Sequence, residues 1–398
     1  MQRIHDVAVI GGGPSGLHTA KLLAQKGLDV IVCERKAQIG SDIICTGVIG
    51  KNVFQEFGLK TDSVIGEVKD IQIVSSSGNR LIYRHPAAFA CIVDREKFDN
   101  DLGHDARQAG AEIYLETQVS DMTIHPNHVE LLTQREKRSH KRYAARMAVI
   151  ATGIDYALNK KIGLGYAKNF FLGAQAELEI ANGHTPTIFL DRNIAPGAFG
   201  WAVPTGHGRL KVGLLAERNP RGRFENLLKN YFPSELKNLD PGAIQVKAIA
   251  QGLVSKTYGD KVIVLGEAAG QVKTTTGGGI YFGLFCSQIA ARILLKGLQA
   301  GTFHMQFLSE YEKLWKKAIQ KEILIGYIAR KVFSRLSEIQ IERLFEIAKC
   351  DGIIPLIREK GNFDWQSQLI LDLVKKTSFF GALKQARKKF HLTEKYFL

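Results

Sequence analysis

The chain has 398 residues, 45% hydrophobic and 23% charged, enough for two closely connected domains and an appendage. No apolar run approaches the ~20 residues of a membrane span. The first strand begins so close to residue 1 that a signal peptide has no room. Five scattered cysteines (Cys33, Cys45, Cys91, Cys286 and Cys350) form no C-x-x-C pair, which argues for a reducing cytosol and against structural zinc. The net charge of +15 suits an anionic membrane surface, phosphorylated ligands or simple solubility, and no nucleic-acid module is present.

In chain order, Asp6–Ile10 reads as an apolar strand, followed by Gly11-x-Gly13-x-x-Gly16 and a helix with Leu17, Ala20, Leu23 and Ala24 on one face. Gly11 permits the tight turn, Gly13 lets backbone approach a pyrophosphate and Gly16 lets helix pack on strand. Pro14 suits the first helical position. With Ser15 it opens a helix whose N-terminus offers free N–H groups to phosphates. The second strand, Asp29–Cys33, ends at Glu34 and Arg35. An acid about twenty residues past the glycines accepts from an unphosphorylated ribose, pointing to FAD or NAD.

The glycine-rich loop Gly40–Gly50 carries Cys45, set either to approach a cofactor or to fill space as a small hydrophobe. A short helix near Val53–Phe57 follows, then strands at Val68–Val74, Arg80–Tyr83 and Ala90–Val93. Asp94 caps a helix reaching Gln108. Arg95 stands in its first turn against the dipole preference, either meeting a phosphate or flavin or forming a surface salt bridge. A strand at Glu112–Leu115 leads into a meander through Val119–Ile124, His128–Thr133 and Lys141–Ala145, with a basic hairpin tip at Arg135–Arg142. A further strand, Ala148–Ile150, ends in Ala151-Thr152-Gly153, where ligands bind in open α/β sheets.

From Phe170 to Ala216 the pattern is β: Phe171–Ile180, Thr185–Leu190, Ala198–Val203 and Leu210–Ala216. Phe199, Trp201 and Val203 alternate onto one face before Pro204, as a substrate wall or as ordinary sheet core. A helix at Arg221–Tyr231 follows. Lys261–Leu265 is a strand running into Gly266 and Glu267. Next come Gly277-Gly278-Gly279 and a long helix, Ile280–Leu298. Glu267 is placed to bond a ribityl or ribose hydroxyl, and the glycines with the helix N-terminus suit a flat anionic ring. Residues 302–398 are helical and basic, with 18 Lys and Arg against 11 Asp and Glu. They read as a helical cap or a membrane-surface element, the latter through Phe379, Phe380, Leu383, Arg387, Lys388, Lys389 and Phe390.

These blocks, in this order, resemble the flavoprotein oxidoreductases of the aromatic-hydroxylase-like superfamily, and within it the geranylgeranyl reductase family. Cys45-Thr46-Gly47 is similar to that family's Cys-Gly-Gly segment. Phe199-Gly-Trp201-Ala-Val203-Pro204 is similar to its Tyr-x-Trp-x-Phe-Pro motif. Glu267 stands where the family has Asp, and Thr274 where it has Pro.

The resemblance implies an α/β fold. A Rossmann-like FAD-binding domain would comprise residues 1–65, 94–165 and 245–300. An antiparallel substrate sheet would comprise 66–93 and 166–244, and a helical region 301–398. It implies FAD as cofactor, no metal, and NAD(P)H or ferredoxin as transient donor. Gly11, Gly13–Gly16, Glu34, Arg35, Arg95, Ala151–Gly153, Gly266, Glu267 and Gly277–Ile280 would hold FAD. Cys45 would shape the pocket or relay a proton, and Phe199, Trp201, Val203 and Pro204 would hold substrate.

The implied activity is reduction of isoprenoid C=C bonds in a lipid or pyrophosphate, in the cytoplasm or at the inner membrane face. Two alternatives stand beside it: an FAD monooxygenase or halogenase acting on an aromatic or polyketide-like substrate, and a non-catalytic lipid-binding flavoprotein.

Overall fold

The computed structural model describes residues 3–135, 139–180, 184–350 and 352–375. The tip of the basic hairpin and the segment Phe379–Phe390 lie outside the described residues.

Apolar runs of strand length build the central sheet. Ile4–Ile10 lies between Val30–Cys33 and Ser139–Ile150, parallel to both, and Val262–Val264 is parallel to Ser139–Ile150. Glu112–Tyr114 and Tyr258–Gly259 flank this core, and Gln118–Ile124 and Val129–Arg135 complete eight strands. The register aligns Ile10 with both Cys33 and Ile150, and Ile150 with Val264. Gly11, Glu34, Ala151 and Leu265 therefore leave the sheet at one edge, the carboxyl end where ligands bind in such sheets.

Ser139–Ile150 is one strand rather than the two expected. Its first part pairs antiparallel with Val129–Arg135, and from Ala144 onward it also runs parallel to the first strand. Helices Pro14–Ala24, Arg95–Gln108 and Ile280–Ala300 bury their apolar residues in one core with Val7, Val9 and Met147. Asp94 caps the second of these helices, its carboxylate accepting from Glu96 and Lys97 N–H.

A second, seven-stranded sheet runs in the order Gln245–Gln251, Asn169–Glu179, Arg209–Ala216, Gly200–Gly206, Thr187–Leu190, Asp70–Ser75, Arg80–Arg84. Strand 245–251, assigned from sequence to the cofactor domain, pairs here with Asn169–Glu179. The expected strand Val68–Val74 is two. Val64–Val68 joins a small sheet with Ala90–Val93 and Val48–Gly50, while Asp70–Ser75 joins the large one. Residues 90–93 thus belong with the Cys45 loop, because their four side chains are all buried and need cover on both faces.

Helix Ile280–Ala300 has the length and apolarity to cross a membrane, but 61% of its apolar window is buried inside the fold. Met305–Phe333 packs against it, with Tyr311 and Trp315 fully buried. Tyr311 Oη donates to Val264 O and accepts from Gln271 Nε2, and Gln271 Oε1 accepts from Gly266 N–H at 2.7 Å. The helical region therefore fixes the Gly266 turn. Helix Glu338–Cys350 docks on the second sheet, where Glu342 accepts from Ser75, Ser77 and Asn79.

Candidate active site

A cavity of about 1040 Å³ opens between the carboxyl edge of the first sheet and the face of the second. It is at the upper end of the ~300–1,000 Å³ typical of ligand sites. Gly11–Ser15, Glu34, Arg35, Ala151–Gly153, Gly266, Glu267 and Gly277–Ile280 line one part of it, and Phe199, Trp201 and Val203 another. Cys45 and Arg95 lie on its wall as well. Of the residues singled out from sequence, Gly16 and Pro204 do not line it. Gly16 is a packing position, where a Cβ would stand 2.2 Å from Gly11 O. Pro204 sits in the strand ladder opposite Leu210.

The two glycine segments, some 250 residues apart in sequence, meet in space. Gly11 adopts φ +112°, and a Cβ there would strike Ala151 O. This places the first turn directly on the Ala151-Thr152-Gly153 strand end. Glu34 accepts from Gly12 N–H at 2.6 Å and Lys36 N–H at 2.9 Å, so its carboxylate is held over the turn with lone pairs left for a ribose diol. At the other end Gly277 has φ +80°, and the helix beginning at Ile280 directs its N-terminus into the cavity. Glu267 lies 3.5 Å from Lys247 Nζ. Lys247, on the strand reassigned above, is a cavity residue that the sequence did not flag.

Arg95 is neither a surface salt bridge nor free. Its side chain is 10% exposed and grips Asp99, one turn on, with contacts of 2.9 and 3.0 Å. Burial works against its charge, but Asp99 and the Cys45 sulfur hold the guanidinium firmly protonated. Burial would raise the Cys45 thiol. The Arg95 charge, the Gly47 N–H and Lys247 outweigh it and hold Cys45 below the ordinary thiol range.

Trp201 lies across Gly213 on the neighbouring strand: a Cβ on Gly213 would fall 2.4 Å from Trp201 Cζ2. Its ring packs 6.0 Å from that of Phe199, and its indole N–H has no partner among the described residues. Val203, Val68, Ala90 and Ile92 form an apolar cluster with Phe89 and Trp201. Phe363, from the loop after helix Ile353–Lys360, closes that cluster. Phe363 and Asp364 line the cavity but follow no motif.

The residues present fit FAD. A carboxylate stands where an adenosine ribose would bind and a helix N-terminus where phosphates would. A second N-terminus behind three glycines suits the flavin ring.

The family model for pyridine nucleotide-disulphide oxidoreductases matches residues 5–176. Digeranylgeranylglycerophospholipid reductase 2 of Methanothermobacter thermautotrophicus is 27% identical, over 85% of this chain and 90% of its own. A geranylgeranyl bacteriochlorophyll reductase-like structure from Thermoplasma acidophilum superposes with a TM-score of 0.82 at 20% identity, covering 98% of this chain and 100% of its own. The p-nitrophenol 4-monooxygenase of Pseudomonas putida shares the fold at TM-score 0.69 and 19% identity, covering 93% of this chain and 99% of its own. The chain is an FAD-dependent oxidoreductase, similar over most of its length to reductases of the geranylgeranyl type.

Proposed function

We propose that the protein reduces carbon–carbon double bonds in the isoprenoid chains of a lipid. The observation that carries this reading is continuity: the glycine-lined cofactor groove opens directly onto the apolar wall of Phe199, Trp201 and Val203 within one cavity. The relatives named as digeranylgeranylglycerophospholipid reductases support the same chemistry.

Bound FAD, once reduced, supplies hydride. The chain's own residues supply the rest. Glu34 and the first helix N-terminus fix the adenosine end. The Gly277–Gly279 turn supports negative charge at the other end. The aromatic wall holds a polyprenyl segment, where each buried methylene contributes about 0.8 kcal/mol, and the bound chain displaces water from the reacting atoms. NAD(P)H or a reduced ferredoxin serves as the transient donor, since only one dinucleotide motif is present. The net charge of +15 supports a cytoplasmic enzyme working at the anionic inner face of the membrane.

Mass spectrometry of membrane lipids from cells with and without the protein tests the reading. A gain of two hydrogens per reduced bond in the isoprenoid chains is expected, and identical lipid masses would reject it. The fold is shared with a flavin monooxygenase, so oxygen consumption with an aromatic substrate is the result that would favour the alternative.

A further inference from the structure

Lys273 holds a buried cation where the cofactor turn meets the apolar chamber, and nothing above uses it. Its side chain is 7% exposed and lines the cavity. Its backbone closes the glycine turn, Lys273 N–H donating to Gly278 O at 2.9 Å and Lys273 O accepting from Gly277 N–H at 2.8 Å. The turn folds the side chain back over the glycines, so Nζ lies 3.5 Å from the point a Gly278 Cβ would occupy. On its other side Nζ stands 4.3 Å from the Phe363 ring centroid, and Phe363 packs in the same apolar cluster as Val203 and Trp201. The ammonium therefore borders both the glycine turn suited to a flavin ring and the wall suited to substrate.

Such a cation is costly to bury. Asp364 Oδ1, 2.7 Å away, and Phe363 O, 3.2 Å away, offset that cost. Apolar side chains in place of such a buried pair are often as stable, so packing alone does not call for the ion pair here. Burial draws the Lys273 pKa below the ordinary amine value, with Asp364 acting against the shift. A less basic ammonium is a better acid near neutral pH.

We propose that Lys273 is the proton donor of the reduction, with Asp364 as its positioning residue. The inference rests on the isoprenoid-reductase reading. Hydride from reduced FAD carries two electrons and forms one C–H bond. The alkene π pair takes the proton from Lys273 Nζ and forms the second. The N–H bonding pair stays on nitrogen, FAD is left oxidised, and the neutral amine regains its proton from water after product leaves.

The test compares wild type, Lys273→Met and Lys273→Arg, each loaded with FAD, reduced anaerobically and mixed with a digeranylgeranyl glycerophospholipid. Arginine keeps the charge but does not release a proton in proteins. Both variants are expected to lose roughly a hundredfold or more in the rate of flavin reoxidation. The FAD reduction potential supplies a readout independent of turnover. It is expected to fall in Lys273→Met, which removes a neighbouring cation, and to hold in Lys273→Arg. The double variant Lys273→Met/Asp364→Asn leaves no unpaired carboxylate and serves if the single variant does not fold. Active wild type beside a Lys273→Arg enzyme that keeps more than roughly a tenth of the rate would overturn the Lys273 role alone. A potential unmoved in Lys273→Met would overturn its placement beside the cofactor. Wild-type flavin that stays reduced with the lipid present would overturn the isoprenoid reading, and the donor role with it.

Discussion

The Ser15 hydroxyl stands 2.1 Å from the point that a Cβ on Gly283 would occupy. Ser15 opens the first helix and Gly283 lies in the first turn of the last cofactor helix, so this contact packs the two helix starts together. Alanine in place of glycine within a helix ordinarily gains up to about 1 kcal/mol. Here overpacking, at about 1–3 kcal/mol, outweighs it. Gly283→Ala is expected to lower both the melting temperature and FAD affinity, measured by thermal unfolding and by quenching of flavin fluorescence.

Glu34 carries a second prediction. Its carboxylate bridges Gly12 and Lys36 N–H groups before any ribose arrives. Hydrogen bonds to a charged acceptor contribute about 1.5–3 kcal/mol. Glu34→Ala is therefore expected to weaken FAD binding by roughly ten- to a hundredfold, read by equilibrium titration of the FAD-free protein.

Trp201 rests on Gly213 with no room for a methyl group between them. Gly213→Ala is expected to push the indole into the chamber and shorten the chain it accepts. A roughly tenfold fall in kcat/KM for a long polyprenyl lipid, about 1.4 kcal/mol, with a smaller fall for a short one, is the expected pattern. The Gly213→Ala/Trp201→Phe double variant should recover part of the loss.

His18 sets an acid limit on stability. It is 1% exposed, neither ring nitrogen has a partner among the described residues, and burial lowers its pKa from 6.5 to about 4. Between those values the unfolded chain binds more protons than the native one. Stability from neutral His18 is thus complete above about pH 6.5 and is lost as pH falls toward 4. At about 1.4 kcal/mol per unit the effect is on the order of 3 kcal/mol. Denaturant titrations across this window should show that slope, and His18→Leu should flatten it.

Both glycine blocks, the Asp94 cap and the start of the Ile280 helix were legible in the sequence, because each rests on local geometry: a turn that needs glycine, a cap that needs a carboxylate, an apolar period of helix type. Arg95 was visible as an anomaly, a cation at a helix start, but its explanation is tertiary, since Asp99 and Cys45 meet it only in the fold. The ion pair of Lys273 and Asp364 spans 91 residues and leaves no local trace. Strand 245–251 has weak alternation and takes its sheet from its partner, Asn169–Glu179. The break at Lys69, which sends one apparent strand into two sheets, is likewise invisible in an apolar pattern.

The most direct test is an anaerobic stoichiometry. Purified protein carrying reduced FAD is mixed with a digeranylgeranyl lipid, and flavin absorbance and lipid mass are read together. One double bond reduced for each FAD oxidised, with oxygen absent, is the predicted result. Flavin that reoxidises only when oxygen is admitted, with the lipid mass unchanged, would contradict it.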